Sequence, residues 1–410
     1  YCDFLPVLTE NRNNHIPFCI KKCDYCDFLS APADLETKEK YVEALINEIK
    51  LNKNKMSEYV VDTVFIGGGT PSLLEENQIS KIMSVLKDNC NMSENPEITI
   101  ECNPGTITES KLWEYKKSGI NRISFGLQSA NDQELKSIGR IHNYAGFLES
   151  YNLARKCGFD NINVDLMSAL PGQTLKSYEE TLNKVVRLEP EHISAYSLIV
   201  EENTLMYYRV KKAQIKGINI LPDEESERKM YYLTNNILRS NGYRKYEISN
   251  YSKPGKECKH NIGYWQRKEY LGFGIGAASL YKENRYNNIS DINKYIEVLT
   301  NNIKENSINN VGNSSEVENQ VNILNSIVKN LQQLTERDRM EEFMFLGLRM
   351  MEGVSMKKFE RYFGKPYMEV YGKVQKKMED KRFLINDNGY VKLTEFGIDL
   401  SNYVMSEFLF

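Results

Sequence analysis

Short β-rich runs alternate with amphipathic helical runs through the first half of this chain, and that alternation admits few folds. Leu35 to Lys53 carries Tyr41, Val42, Leu45, Ile46 and Ile49 at helical spacing, and Asp62-Thr-Val-Phe-Ile66 then reads as a buried strand. The pattern repeats as helix 75–88 and strand Glu97 to Glu101, then helix 108–118 and strand Arg122 to Leu127. Helices 131–138 and 144–156 precede strand Asn161 to Met167, and helix 174–188 precedes strand His192 to Leu198. Strands joined through helices pair in parallel. Counting a weak first strand near residue 15, six strands predict an α/β fold on a partial (βα)6, TIM-like barrel rather than a closed eight-fold one. In such a barrel the chemistry belongs at the C-terminal ends of the strands.

The loop after that first strand is the most chemically committed stretch. Cys19-Ile-Lys-Lys-Cys23-Asp-Tyr-Cys26, entered through His15-Ile-Pro-Phe18, packs three thiols into eight residues. Thiolates so close together converge on one inorganic centre, yet a complete zinc or iron-sulfur site normally takes four protein ligands. The position two after Cys26 is Phe28, so no local fourth ligand exists. The reading is a [4Fe-4S] cluster on Cys19, Cys23 and Cys26 with one iron open to a small molecule; the alternative is zinc with His15 as fourth ligand.

Polar motifs then fall at successive strand ends. Gly67-Gly68-Gly69-Thr70-Pro71 follows the second strand, where missing side chains let backbone approach a ligand. Glu101 ends the third strand, Gln128 the fourth and Asp165 the fifth, while Arg140 lies in Ile138-Gly-Arg-Ile-His142. Each alone could be a surface group; together they make a ring of ligand-facing polar residues.

The C-x3-C-x2-C spacing resembles the signature of the radical S-adenosylmethionine (SAM) superfamily, whose open iron holds SAM and whose cluster electron splits it to a 5′-deoxyadenosyl radical. More narrowly, His15-Ile-Pro-Phe-Cys19 with Cys23-Asp-Tyr-Cys26-Asp-Phe28 resembles the oxygen-independent coproporphyrinogen III oxidase family. Phe28, where the oxidase branch carries a further cysteine, resembles the HemW-type heme chaperone branch. The resemblance implies that Gly68, Gly69 and Thr70 meet the amino group of SAM and that Glu101, Gln128, Arg140 and Asp165 are its other contacts. That set suits a zwitterionic nucleoside, with an arginine fork for carboxylate and carboxylates for hydroxyls and ammonium. His142 is expected to support the loop. Relatives carry a SAM-contacting tyrosine and an apolar strand just before this run, where Arg12-Asn13-Asn14 stands here. Tyr1-Cys-Asp-Phe-Leu5 repeats Tyr25-Cys-Asp-Phe-Leu29, so residues 1–14 read as an altered or truncated terminus, and Cys2 as a stray thiol rather than a fourth ligand.

Beyond a barrel assigned to 15–218, residues 219–299 form an extension with a helix over Asp223 to Ser240 and a strand over Lys245 to Ser249. It carries Cys258-Lys-His260-Asn261-Ile-Gly-Tyr264-Trp265, then a glycine-rich stretch to Ala277. Imidazole and thiolate ligate heme iron, and aromatic faces suit a flat macrocycle. His-Asn-x-x-Tyr-Trp resembles the segment implicated in heme binding by HemW-type chaperones, which implies His260 as heme ligand with Cys258 a weaker candidate. Residues 300–335, rich in Asn and Ser, read as a linker or insertion with one helix near Val321 to Leu331. Residues 336–410 alternate three helices with a two-stranded wing and a closing helix over Glu395 to Phe408, a winged-helix-like domain without a dense basic face.

Fifty-three basic against 56 acidic residues, a net charge of −3, predict no attraction to nucleic acid. No run approaches the ~18 apolar residues that span a bilayer, and eight irregularly spaced cysteines fit a reducing compartment, so a cytoplasmic location is expected. Two functions follow from the resemblance. The first is a heme chaperone that binds a [4Fe-4S] cluster, SAM and heme and delivers heme to a recipient hemoprotein, with peripheral membrane contact where that recipient is membrane-bound. The second is an oxidase that decarboxylates coproporphyrinogen propionates through a deoxyadenosyl radical. Both imply an electron donor for the cluster.

Overall fold

The computed structural model describes residues 14–308 and 313–410. Six strands lie parallel and in chain order: β1 (Asn14–Ile16), β2 (Val60–Gly68), β3 (Asn91–Cys102), β4 (Arg122–Gln128), β5 (Ile162–Ser168) and β6 (His192–Ser197). Between them run α1 (Leu35–Leu51), α2 (Lys53–Ser57), α3 (Glu76–Asn89), α4 (Glu109–Lys117), α5 (Asp132–Ser137), α6 (Tyr144–Lys156) and α7 (Leu175–Val186). Side chains of α1, α4, α5, α6 and α7 begin as sequence chemistry requires. Asp34, Thr108, Asn131, Asn143 and Thr174 each accept a hydrogen bond from a first-turn amide, a cap worth about 1 kcal/mol.

Alternation along the strands sorts the residues between two faces. Ile66, Ile98, Ile100, Ile123, Phe125, Leu127, Val164 and Leu166 join the helices in the main apolar core. The intervening Thr63, Glu97, Thr99, Glu101, Arg122, Ser124, Asn163, Asp165 and His192 line the concave face. The predicted weak first strand exists among the described residues as β1, which pairs with β2 from Asn14↔Ile66 to Ile16↔Gly68. The run holding Cys2 and Arg12-Asn13 lies outside the described residues. Among the described residues β1 forms one edge of the sheet.

Past β6 come α8 (Leu205–Ile215), α9 (Glu224–Ser240), β7 (Arg244–Glu247) and β8 (Asn250–Ser252), and β8 extends the sheet antiparallel to β6. Then α10 (Lys259–Trp265), β9 (Ala278–Tyr281), β10 (Asn284–Asn288), α11 (Ile292–Ile308), α12 (Asn313–Ile327) and β11 (Val328–Gln333) follow. The stretch 300–335, expected as a linker or insertion with one helix near Val321 to Leu331, carries the end of α11, all of α12 and β11, which completes a three-stranded sheet with β10 and β9. Ile323 and Ile327, four apart, are buried in the main core. The asparagines and serines around them mask a regular apolar face.

The C-terminal region contains α13 (Glu336–Gly347), β12 (Val354–Ser355), α14 (Met356–Phe363), α15 (Tyr367–Asp380), β13 (Leu384–Asp387), β14 (Tyr390–Leu393), α16 (Glu395–Asp399) and α17 (Ser401–Ser406). Its winged-helix-like core gathers Phe359, Tyr367, Tyr371, Met378 and Phe408. Two corrections apply: the wing has a third strand, β12, and the closing helix is two short helices. Buried charges tie this region to the extension. Arg267 donates to Glu342 at 2.8 Å and pairs with Glu283, Arg285 pairs with Glu342, and the Arg349 guanidinium lies 4.3 Å from the Trp265 ring centroid.

Candidate functional site

Backbone bonds fix the cysteine loop to its own exit, to the end of α5 and to α8. Cys19 N donates to Ala31 O at 3.1 Å, Asp24 N to Ile138 O at 3.0 Å, and Met206 N to Asp24 O at 2.7 Å. Arg209 on α8 pairs with the Asp24 carboxylate at 2.7 Å. Cys19, Cys23 and Cys26 are free, half-buried thiols. Burial raises the Cys26 pKa, and Cys23 and Cys19 add to it, which places the three within electrostatic reach of one another. A cation at the site would reverse that shift. His15 Nδ1–H donates to Ile275 O at 2.5 Å, and its ring lies where a side chain on Gly68 would stand. Among the described residues no group of three or more His, Cys, Asp or Glu side chains is drawn together as if already around a metal ion.

The glycine turn explains itself sterically. A Cβ on Gly69 would stand 2.7 Å from Phe18 O and 3.0 Å from Cys19 Sγ, and Gly68 has φ +121°, so these positions accept only glycine if the cysteine loop is to lie against β2. Gly68 N donates to Glu101 Oε2 at 3.0 Å. Asn103 Nδ2 donates to Thr70 Oγ1 at 2.7 Å, which leaves the Thr70 hydroxyl proton for Cys19 Sγ at 3.5 Å. Arg140 donates through Nη2 to Asn103 Oδ1 at 2.9 Å and to Gly126 O, and through Nη1 to Cys23 Sγ at 3.6 Å, while its buried Nε has no partner. Gln128 has φ +74° at a register shift between β4 and β5, a bulge that turns its amide to accept from Tyr196 OH at 3.2 Å. Asp165 Oδ1 accepts from Asn163 Nδ2 at 2.7 Å. Burial raises the Tyr25 and Tyr196 phenols, and both feel Arg140 and Asp165, so these groups share one rim with Cys23. His142 Nε2–H donates to Leu127 O at 3.3 Å.

The second block lies at the opposite end of the strands. The Glu97 carboxylate accepts from Lys259 N and His260 N, both at 3.0 Å, and so caps α10 against the lower part of β3. The expectation for Cys258 is corrected: its thiol is fully buried and donates to Glu97 Oε1 at 3.5 Å, facing no opening. His260 is also buried, with Nδ1 2.9 Å from Thr63 Oγ1, Nε2 3.1 Å from Tyr264 OH, and Phe65 stacked on its ring at 5.1 Å. His260 and Tyr264 line a cavity of about 450 Å³ whose other walls include Tyr59, Tyr270, Phe273 and Tyr281.

Comparison with known proteins agrees with this arrangement. Residues 13–185 match the Radical SAM superfamily and residues 334–400 the HemN C-terminal domain. The chain is 36% identical over 399 residues to the heme chaperone HemW of Bacillus subtilis, covering 96% of this chain and 98% of that one. The chain belongs to the HemW family. Its HemW relative in Lactococcus lactis is 34% identical over 96% of both chains. The fold is that of coproporphyrinogen III oxidase (HemN) from Escherichia coli, with TM-score 0.80 at 22% identity over 97% of this chain and 89% of that one.

Membership of the radical SAM superfamily implies a [4Fe-4S] cluster and SAM in the HemW family, and the residues fit both. Three half-buried thiols without disulfide partners supply the donors, the Gly69 position leaves the loop room, and an orphaned Arg140 Nε faces the rim. Two members of this rim were not singled out in the sequence. Asn103 lies two residues after Glu101 and so on the same strand face, and Tyr196 ends β6 as Asp165 approaches the end of β5; the same strand-end rule finds both.

Proposed function

We propose that this chain is a heme chaperone that holds a [4Fe-4S] cluster on Cys19, Cys23 and Cys26, SAM on the rim of Gly68, Gly69, Thr70, Glu101, Gln128, Arg140 and Asp165, and heme in the cavity beside His260. Bound together, cluster and SAM supply reductive cleavage of the sulfonium. In the chain itself, Arg140 orients a carboxylate with the fork that now holds Asn103 and Gly126, while Glu101 fixes the glycine turn. The observation that carries the heme reading is the aromatic cavity, of a size typical for ligands, with an imidazole on its wall and Lys259 and Lys268 among its lining residues. Lysines there suit propionates.

The separation of the two ends favours binding over radical chemistry. Glu97, beside His260, and Glu101, at the rim, are four residues apart on β3, or about 13 Å at ~3.3 Å per residue, with lumen side chains between them. A tetrapyrrole held beside His260 would lie toward the opposite end of the strands from the cysteine loop. The test is to titrate wild type and His260→Ala with hemin, and in parallel to incubate reduced, reconstituted protein with SAM and coproporphyrinogen III. Hemin binding weakened in the variant supports the reading. Decarboxylated product would overturn it in favour of the oxidase.

A further inference from the structure

His260 is built as a metal-binding imidazole whose lone pair is already taken. Thr63 Oγ1, 2.9 Å from Nδ1, can accept the Nδ1 proton and thereby leave the lone pair on Nε2, the tautomer that a metal-ligating histidine uses. Phe65 stacks on the ring with planes 24° apart and fixes its orientation. Burial, helped by Arg122, drives the imidazole pKa down to about 3, so the ring stays neutral. Nε2 points at Tyr264 OH, 3.1 Å away, and both side chains border the same cavity. Tyr264 is half-buried, packs edge-on to Tyr270 at 4.7 Å, and follows Gly263, whose missing side chain leaves space toward Lys268.

We propose that Tyr264 is a latch on this site: its hydroxyl and the iron of a bound tetrapyrrole compete for the one lone pair on His260 Nε2. The proposal rests on the heme reading above and adds its regulation. Loading breaks the Tyr264–His260 hydrogen bond, and release restores it, so the latch weakens the hold on the metal and favours handing it on. A ligand without a metal gains nothing from displacing the hydroxyl. Removing the hydroxyl therefore strengthens metal binding by about one net hydrogen bond, about 1 kcal/mol, or roughly fivefold in affinity.

The experiment titrates the full chain with hemin and with metal-free protoporphyrin IX, followed by Soret absorbance, for wild type, Tyr264→Phe, His260→Ala and His260→Gln. The expected result is hemin binding about fivefold tighter in Tyr264→Phe with protoporphyrin unchanged, and hemin binding lost in the His260 variants while protoporphyrin is retained. Retained protoporphyrin binding shows that the cavity is intact. Equal hemin affinity in wild type and Tyr264→Phe, with loss in the His260 variants, overturns the latch and leaves the heme site standing. Tighter binding of both porphyrins in Tyr264→Phe also overturns it, because the gain is then one of space. Unchanged hemin affinity in both His260 variants overturns latch and heme reading together.

Discussion

Replacing Glu48 by glutamine should turn a pH-dependent stability into a flat one. Glu48, on α1, is 2% exposed, and its carboxylate accepts from Gly274 N at 2.8 Å, Asn288 Nδ2 at 2.6 Å and Tyr295 OH. This knot holds the glycine-rich 273–275 segment, which in turn accepts from His15 N and Nδ1 at the entry to the cysteine loop. Burial raises the carboxyl from 4.5 to about 7 despite these three donors. A carboxyl raised on folding stabilises fully below its unfolded pKa and loses that contribution as pH rises through the folded one. Between pH 5 and pH 8 the loss integrates to about 2.5 kcal/mol. Glutamine does not titrate, and it forfeits one of the three bonds, at about 1 kcal/mol. Urea unfolding of both proteins at pH 5, 6, 7 and 8 isolates the effect, since all other carboxylates cancel in the difference. The variant should gain on the wild type by about 2.5 kcal/mol across that range. A difference that stays flat would show Glu48 ionised throughout and refute the reasoning.

Three further outcomes are expected. Gly69→Ala drives a methyl against Phe18 O and Cys19 Sγ, so refolded protein should keep its circular dichroism but take up much less iron and sulfide on reconstitution; full uptake would contradict the steric argument. Arg140→Lys keeps the charge but loses the fork on Asn103 and Gly126, and SAM affinity by calorimetry should fall about tenfold or more. Glu342→Ala strips Arg267 and Arg285 of a shared buried carboxylate, and should cost about 3 kcal/mol or more, read as an earlier unfolding transition and faster proteolysis between the extension and the C-terminal region.

Much of this was legible because the barrel writes its function at strand ends. Glu101, Gln128 and Asp165 sit at or toward the ends of β3, β4 and β5 where strand parity puts them, and Cys19, Cys23 and Cys26 share the loop after β1. What failed to show depends on contacts between distant segments. β1 looked weak because its few residues carry little apolar signal, yet its partner is the glycine turn of β2, which no local pattern announces. Asparagine and serine hid the buried Ile323 and Ile327. For His260 the residue type was informative, but its partner Thr63 lies 197 residues away. Sequence could not tell that both ring nitrogens are occupied.

A run of hydrogen bonds joins the two ends of the strands. From Asp165 at the rim, hydrogen bonds pass to Asn163, then His192, whose Nδ1 lies 2.6 Å from Asn163 Oδ1 and whose Nε2 lies 2.8 Å from Tyr246 OH. Tyr246 accepts from Cys258 N at 3.4 Å, and Cys258 and His260 both donate to Glu97. Burial holds His192 neutral, its pKa lowered well below the ordinary value. What this run of bonds can transmit is position. A ligand at the rim that draws Asp165 away from Asn163 leaves Asn163 Nδ2 its bond to Ser124 Oγ at 2.8 Å, and the bonded side chains that follow, through His192 and Tyr246, end at those that hold α10 against the strands. On the heme reading proposed above, such a linkage would let occupancy of the rim bias the grip of the cavity.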